Sequence, residues 1–235
     1  MNKKRLFIFP TIVFLAVVAI AVNIYVIFKN NYYLTVCVDG VSMQPTLNKE
    51  YTGTEYDAQY TYQRNVEFGQ VDQSLDVIRN IKRFDIITTY YPWDSKDYNQ
   101  PYKKGSKPFK NADYKIKRVI ALPGETFKIV NNVISYLEDG TWKEASINYE
   151  RNLGEVKNIP ETTLKEDEYW VMGDNYGHSN DSSSHSGGQI SPIYKENITG
   201  VLVSIQGYCV VKQNISNKKL SMLDKHYYSK ARIYK

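Results

Sequence analysis

Among 235 residues there are two cysteines and three histidines. Cys37 and Cys209 allow at most one disulfide, and sequence alone leaves open whether they pair or remain two small apolar side chains. Histidine catalysis has equally little to draw on. His178 and His185 sit in a glycine- and serine-rich loop, where exposed polar residues are the ordinary finding, and His226 lies in a basic C-terminal stretch. A Ser-His-Asp arrangement with Asp181 is formally available but weakly supported. The net charge is only +5, and much of it lies in KKLSMLDKHYYSKARIYK, so no nucleic-acid-binding surface is indicated. This tail, residues 218–235, reads as solvated or as resting against anionic lipid or wall polymer. No internal repeat is visible. Helical periodicity is also scarce beyond the N-terminus, which points to a predominantly β domain.

One stretch lacks charge altogether. Leu6–Phe28, LFIFPTIVFLAVVAIAVNIYVIF, runs for twenty-three residues without a charged side chain, and about twenty are needed to cross the hydrocarbon of a bilayer as a helix. The run is longer than the apolar region of a cleavable signal peptide and lacks a small-residue cleavage site at its end. A retained transmembrane anchor over residues 6–28 is therefore expected. Lys3, Lys4 and Arg5 precede it and Lys29 follows, so residues 1–5 are expected in the cytoplasm and residues 29–217 outside, in a single-pass membrane protein.

Beyond the anchor, Tyr32–Val38 is rich in aromatic and β-branched residues and reads as a strand. Val36 and Val38 share one face, which Gly40 and Ser42 would continue if the extended path persists. Residues 51–74, polar and tyrosine-rich, read as a long excursion. RFDIITTYYP (83–92) and YKIKRVIAL (114–122) read as strands. TFKIVNNVISYL reads as a hairpin turning at Asn131-Asn132, where asparagine tolerates the positive φ of a type I′ turn. Residues 138–168 suggest a small mixed subdomain, EYWVMGDN another strand and turn, and ITGVLVSIQGYCVVK a closing strand pair.

Serine is a poor nucleophile without a base beside it. Lysine is the alternative base to histidine, and acting near neutrality requires its amine to fall ~2 to 3 pH units from about 10.4, which apolar burial can achieve. Lys117 is the lysine enclosed by a strongly apolar run, Ile116, Val119, Ile120, Ala121 and Leu122. Composition alone favours the other reading, a lysine snorkelling from a strand edge.

Together these segments resemble the type I signal peptidases, membrane-anchored Ser-Lys proteases that remove signal peptides from exported proteins. SMQPTL (42–47) resembles the family's nucleophile motif, RFDIITTYYP its second motif, KRVIALPGET from Lys117 its lysine motif, and GDNYGHSNDSSS from Gly173 its last. The four occur in the family's order behind the apolar run. The resemblance implies an antiparallel β-sheet catalytic domain behind one transmembrane helix. It implies Ser42 as nucleophile, with its amide serving the oxyanion, and Lys117 as general base. Ser179 would hydrogen-bond the amine, Asp181 would buttress that loop, and Val36, Val38, Met43 and Ile116 would line pockets for small residues at substrate positions −1 and −3. Signal peptides of preproteins and the bilayer are the implied partners, with the secretion translocon or pilus components as further ones, and no cofactor or metal is implied.

The departures cluster. Phe84 and Ala121 stand where the family has glycine, Glu125 where it has aspartate, and Tyr176 and Ser183 where it has arginine, which leaves Asp181 without its expected partner. Gly40 replaces a second oxyanion-hole serine found in some members, and with the single anchor this fits the Gram-positive form. The alternative is a signal-peptidase-like assembly factor for surface fibres, with weak or no proteolysis.

Overall fold

The computed structural model describes residues 3–49, 60–94, 114–184, 188–214 and 220–234. The chain opens with helix α1 (Lys3–Tyr32). Its described side chains, residues 10–26, are exposed, including Ile12, Phe14, Leu15 and Ile24. Among the described residues no helix is long and apolar enough to cross a membrane. The anchor expected over residues 6–28 is therefore not shown.

Among the described residues twelve strands follow in chain order: β1 (Tyr33–Cys37), β2 (Tyr60–Asp72), β3 (Ile86–Thr89), β4 (Lys115–Ala121), β5 (Thr126–Val130), β6 (Val133–Glu138), β7 (Thr141–Glu144), β8 (Ile159–Thr163), β9 (Glu168–Met172), β10 (Ile193–Tyr194), β11 (Ile198–Asn214) and β12 (Leu220–Ile233). A short helix α2 (Leu75–Arg79), capped by the Ser74 hydroxyl, sits between β2 and β3. Among the described residues the domain is mainly antiparallel β, as expected. One sheet has the order β1-β2-β11-β3-β4-β9-β10, with β12 also pairing β11, and a second has the order β7-β6-β5-β8.

Three segments depart from the sequence reading. The tyrosine-rich excursion contains β2, whose Val66 and Phe68 are buried; residues 51–59 of it lie outside the described residues. The alternation in its second half was masked by the polar Gln63, Arg64 and Asn65. The closing strand pair is one long strand, β11, whose register slips near Gly207. The basic tail is solvent-exposed over residues 224–230 but is not irregular: Leu220–Ile233 forms β12. β2 runs along one edge of β11. On the other edge β3 pairs Ile198–Val201 and β12 pairs Ser204–Gln213, so the tail fills backbone that β3 leaves open.

The hairpin at Asn131 (φ 48°) and Asn132 (φ 68°) forms as read, and Asp139-Gly140 makes a second positive-φ turn in the same sheet. This second sheet seats Phe127, Ile129, Ile134 and Tyr136 against Trp170, Met172 and Tyr176. Each fully buried large side chain contributes about 1.5–3 kcal/mol, so β9 and the loop after it are held firmly from beneath. Cys37 and Cys209 are free thiols with their sulfurs 3.5 Å apart. Their strands lie on either side of β2.

Candidate active site

β1 ends at Cys37, and the extended path does not persist to Ser42. Gly40 adopts φ 114°, a conformation glycine takes readily, and the chain turns, closed by Gln44 N–H to Val41 O at 3.0 Å and Leu47 N–H to Met43 O at 2.9 Å. Met43 and Leu47 drop into the core with Val38 and Ile116. Ser42 is left half-buried between two anchored hydrophobes.

Lys117 lies on β4, opposite Ile87 of β3. Its side chain is buried, 4% exposed, and its Nζ donates to Ser42 Oγ at 2.8 Å and to Ile116 O at 2.9 Å. Burial pulls the amine down from its ordinary 10.5 to about 8. The carboxylates of Asp181 and Asp174 oppose that shift, and the nearby Lys115 reinforces it. The strand-edge snorkelling reading of Lys117 does not hold in this structure.

The loop after β9 closes the site from the other side. Gly173 must be glycine by space: a Cβ there would come within 2.3 Å of Ser42 O and 2.4 Å of Ser179 Oγ. Asn175 N–H donates to Ser42 O at 3.0 Å, and its Nδ2 donates to Val41 O at 3.1 Å, so one residue holds two successive carbonyls of the nucleophile turn. Asp181, 1% exposed, accepts from Gly173 N–H (2.8 Å), Ser183 N–H (2.9 Å) and Ser183 Oγ (2.7 Å). Ser183, standing where the family carries arginine, therefore partners this aspartate itself. At the other replaced position the buried Tyr176 hydroxyl accepts from Arg151 Nη1 at 3.1 Å, so a guanidinium reaches that corner from residue 151.

Ser179 does not do what the resemblance implies. Its Oγ is buried over Gly173 and makes no hydrogen bond among the described residues, while the lysine amine is taken by Ser42 and Ile116 O. His178 is exposed at the end of a 3-10 turn, and the Ser42 hydroxyl is engaged by Lys117; His185 lies outside the described residues.

Arg118, next to Lys117, was not singled out in the sequence. It pairs bidentately with Asp174, Nε to Oδ1 at 2.8 Å and Nη2 to Oδ2 at 2.6 Å. It also donates to Phe84 O (2.8 Å) and Thr46 Oγ1 (3.3 Å), and stacks 3.8 Å from the Tyr149 ring centre. Phe84, in place of a family glycine, sits at φ 70°, a rare conformation for so bulky a residue. Its carbonyl is one of the groups Arg118 holds. Lys-Arg and Gly-Asp-Asn, both visible as motif letters, were the available signals for this pair.

A cavity of about 510 Å³ opens beside Ser42 and Lys117. Val36, Val38, Met43 and Ile116 all line it, together with Tyr114 and Lys115. Among the described strands β1 pairs only with β2, and β9 pairs β4 only from Arg118 onward, so backbone on both walls is open to an added strand. Among the described residues no cluster of three or more histidine, cysteine or acidic side chains is placed to hold a metal.

A buried lysine on a strand, bonded to a serine on a tight turn and walled by a small apolar cavity, is what the four motifs lead to. Comparison with curated proteins finds no match. Comparison with protein families matches residues 8–206 to the family described as signal peptidase, peptidase S26. The chain therefore belongs to the signal peptidase family, peptidase S26, a family of peptidases whose substrates are exported preproteins.

Proposed function

We propose that this chain is a membrane-bound serine endopeptidase that removes signal peptides from exported preproteins after a small-x-small, Ala-x-Ala-like site, using Ser42 and Lys117. The observation that carries the reading is a buried amine, lowered to about 8, at 2.8 Å from a serine hydroxyl. Neutral Lys117 accepts the Ser42 Oγ proton as the oxygen attacks the scissile carbonyl. The Ser42 amide, which makes no hydrogen bond among the described residues, donates to the oxyanion. Collapse breaks the C–N bond, and the lysine proton passes to the leaving amine. Water then gives a proton to the same Nζ while attacking the acyl ester, and Ser42 Oγ recovers that proton as the ester opens.

The substrate binds as an extended strand against the open edges of β1 and β4, with main-chain hydrogen bonds for affinity. Val36, Val38, Met43 and Ile116 limit the side chains beside the scissile bond to small ones. The apolar run of residues 6–28 anchors the chain in the cell membrane, N-terminus inside and the β domain outside. Its exposed isoleucines, valines and phenylalanine, together with Lys3, Lys4 and Arg5 ahead of them, support this placement. The arginine replacements do not favour the fibre-assembly alternative, because Asp181 retains three hydrogen-bond donors.

The test is cleavage of a signal peptide bearing Ala-x-Ala by purified protein and by Ser42→Ala, Lys117→Ala and His178→Ala. Loss in the first two and retention in the third is expected. Activity that survives without Lys117 but not without His178 overturns the proposal.

A further inference from the structure

The segment of chain beyond the family match, residues 207–235, is not idle. From β12 the Tyr228 and Arg232 side chains reach across β11 to Glu67 of β2, a carboxylate 8% exposed in the sheet. The Tyr228 hydroxyl donates to Glu67 Oε1 at 2.9 Å, and the Arg232 guanidinium pairs with the same oxygen. The other carboxylate oxygen accepts from Asn48 N–H at 2.7 Å.

Asn48 is the residue that closes the nucleophile turn. Its Oδ1 accepts from Glu67 N–H at 2.7 Å, and its Nδ2 donates to the carbonyls of Val38 and Gly40, the latter at 2.9 Å. The two ends of the turn that presents Ser42 are thus tied to each other and to Glu67. Arg232 also reaches the turn directly, donating through Nη1 to Thr46 O at 3.2 Å. Thr46 is gripped from the opposite side by Arg118.

A carboxylate this buried needs its counter-charge, because removing one partner leaves the other desolvated and uncompensated. Without Arg232, Glu67 is drawn toward water, away from the Asn48 N–H it accepts from, which loosens the closure of the turn.

We propose that Arg232 and Tyr228 of the C-terminal strand are positioning residues for Ser42, acting through Glu67 and Asn48. They touch neither the cavity nor the dyad. Their effect is on where the hydroxyl sits relative to Lys117 Nζ, and hence on turnover rather than on substrate capture. The inference rests on Ser42 being the nucleophile.

The test uses the full chain in detergent and a signal-peptide substrate, with kcat and KM measured for Arg232→Met, Arg232→Lys and Tyr228→Phe beside Ser42→Ala. Because small misplacements of a reacting group cost one to two orders of magnitude, Arg232→Met is expected to lower kcat about tenfold with KM within about twofold. Arg232→Lys, which keeps the charge, should recover kcat to within about threefold. Unchanged kcat in a cooperatively melting Arg232→Met protein, a proportional rise in KM, or no rescue by lysine overturns the proposal. Should Arg232→Met fail to fold, Tyr228→Phe decides: a fall of about threefold in kcat at constant KM supports the inference and an unchanged kcat overturns it. Residual cleavage by Ser42→Ala sinks the nucleophile assignment itself. A silent Ser42→Ala beside an unaffected Arg232→Met sinks only the positioning role.

Discussion

Replacing Lys117 by methionine separates the energetic cost of the lysine from its chemistry. An amine at about 8 in the folded chain, against 10.5 when unfolded, is held more weakly protonated by folding. Between those two values the unfolded state binds more protons, so stability rises with pH there; below about 8 both states are protonated and the whole penalty is present. From these two values, folding at pH 7 carries a cost of ~3 kcal/mol for Lys117, which falls to ~1 kcal/mol at pH 10. Methionine fills similar space without a charge. It gives up two hydrogen bonds worth about 1 kcal/mol each, so at pH 7 the variant should be more stable than the parent by about 1–2 kcal/mol. That advantage should shrink by about 2–3 kcal/mol between pH 7 and 10 and change sign. Urea unfolding of both proteins in detergent, followed by tryptophan fluorescence across this range, reads the difference directly. The variant should also be inactive, while kcat/KM of the parent rises about tenfold from pH 7 to 9 and levels above the amine's value. A stability gap that stays flat with pH would refute a buried, depressed amine. Cleavage that is lost in His178→Ala but kept in Lys117→Ala would refute its use as the base.

Arg118→Met breaks a buried bidentate ion pair and strands Asp174, which should cost about 3–5 kcal/mol by urea denaturation and abolish cleavage; a loss under about 1 kcal/mol would contradict the role given to this pair. Gly173→Ala places a methyl 2.3 Å from Ser42 O, and should lower the melting temperature and reduce kcat far more than it raises KM; wild-type turnover would mean the loop does not set the serine. Ser179→Ala removes a buried hydroxyl without a described partner, so stability should hold or improve by about 1 kcal/mol and activity stay within about threefold. A larger loss of activity would refute the lysine partnerships described here.

Much of the site was legible because signal-peptidase motifs are local. Ser42 and Lys117 each sit in a short run whose letters carry the resemblance, and the Asn131-Asn132 hairpin follows from two adjacent positive-φ residues. The predominance of strands and the charge-free run near the N-terminus were equally plain in composition and order. Other features had no local mark. Arg118 meets Asp174 across 56 residues and Arg232 meets Glu67 across 165, distances over which sequence pattern carries no contact information. The repair of Asp181 by Ser183, and the arrival of Arg151 at Tyr176, came from elements that the motif comparison treated as losses. β12 was hidden for a different reason: its basic, tyrosine-rich letters resemble a solvated tail, and only the open edge of β11 recruits them as a strand. The sequence by itself determined the chain's strand-rich character and which serine and which lysine to examine, since short-range patterns encode those. Tertiary structure alone decided that the two stand 2.8 Å apart with the lysine buried, because sheet pairing and burial depend on which distant backbone and side chains are left unsatisfied.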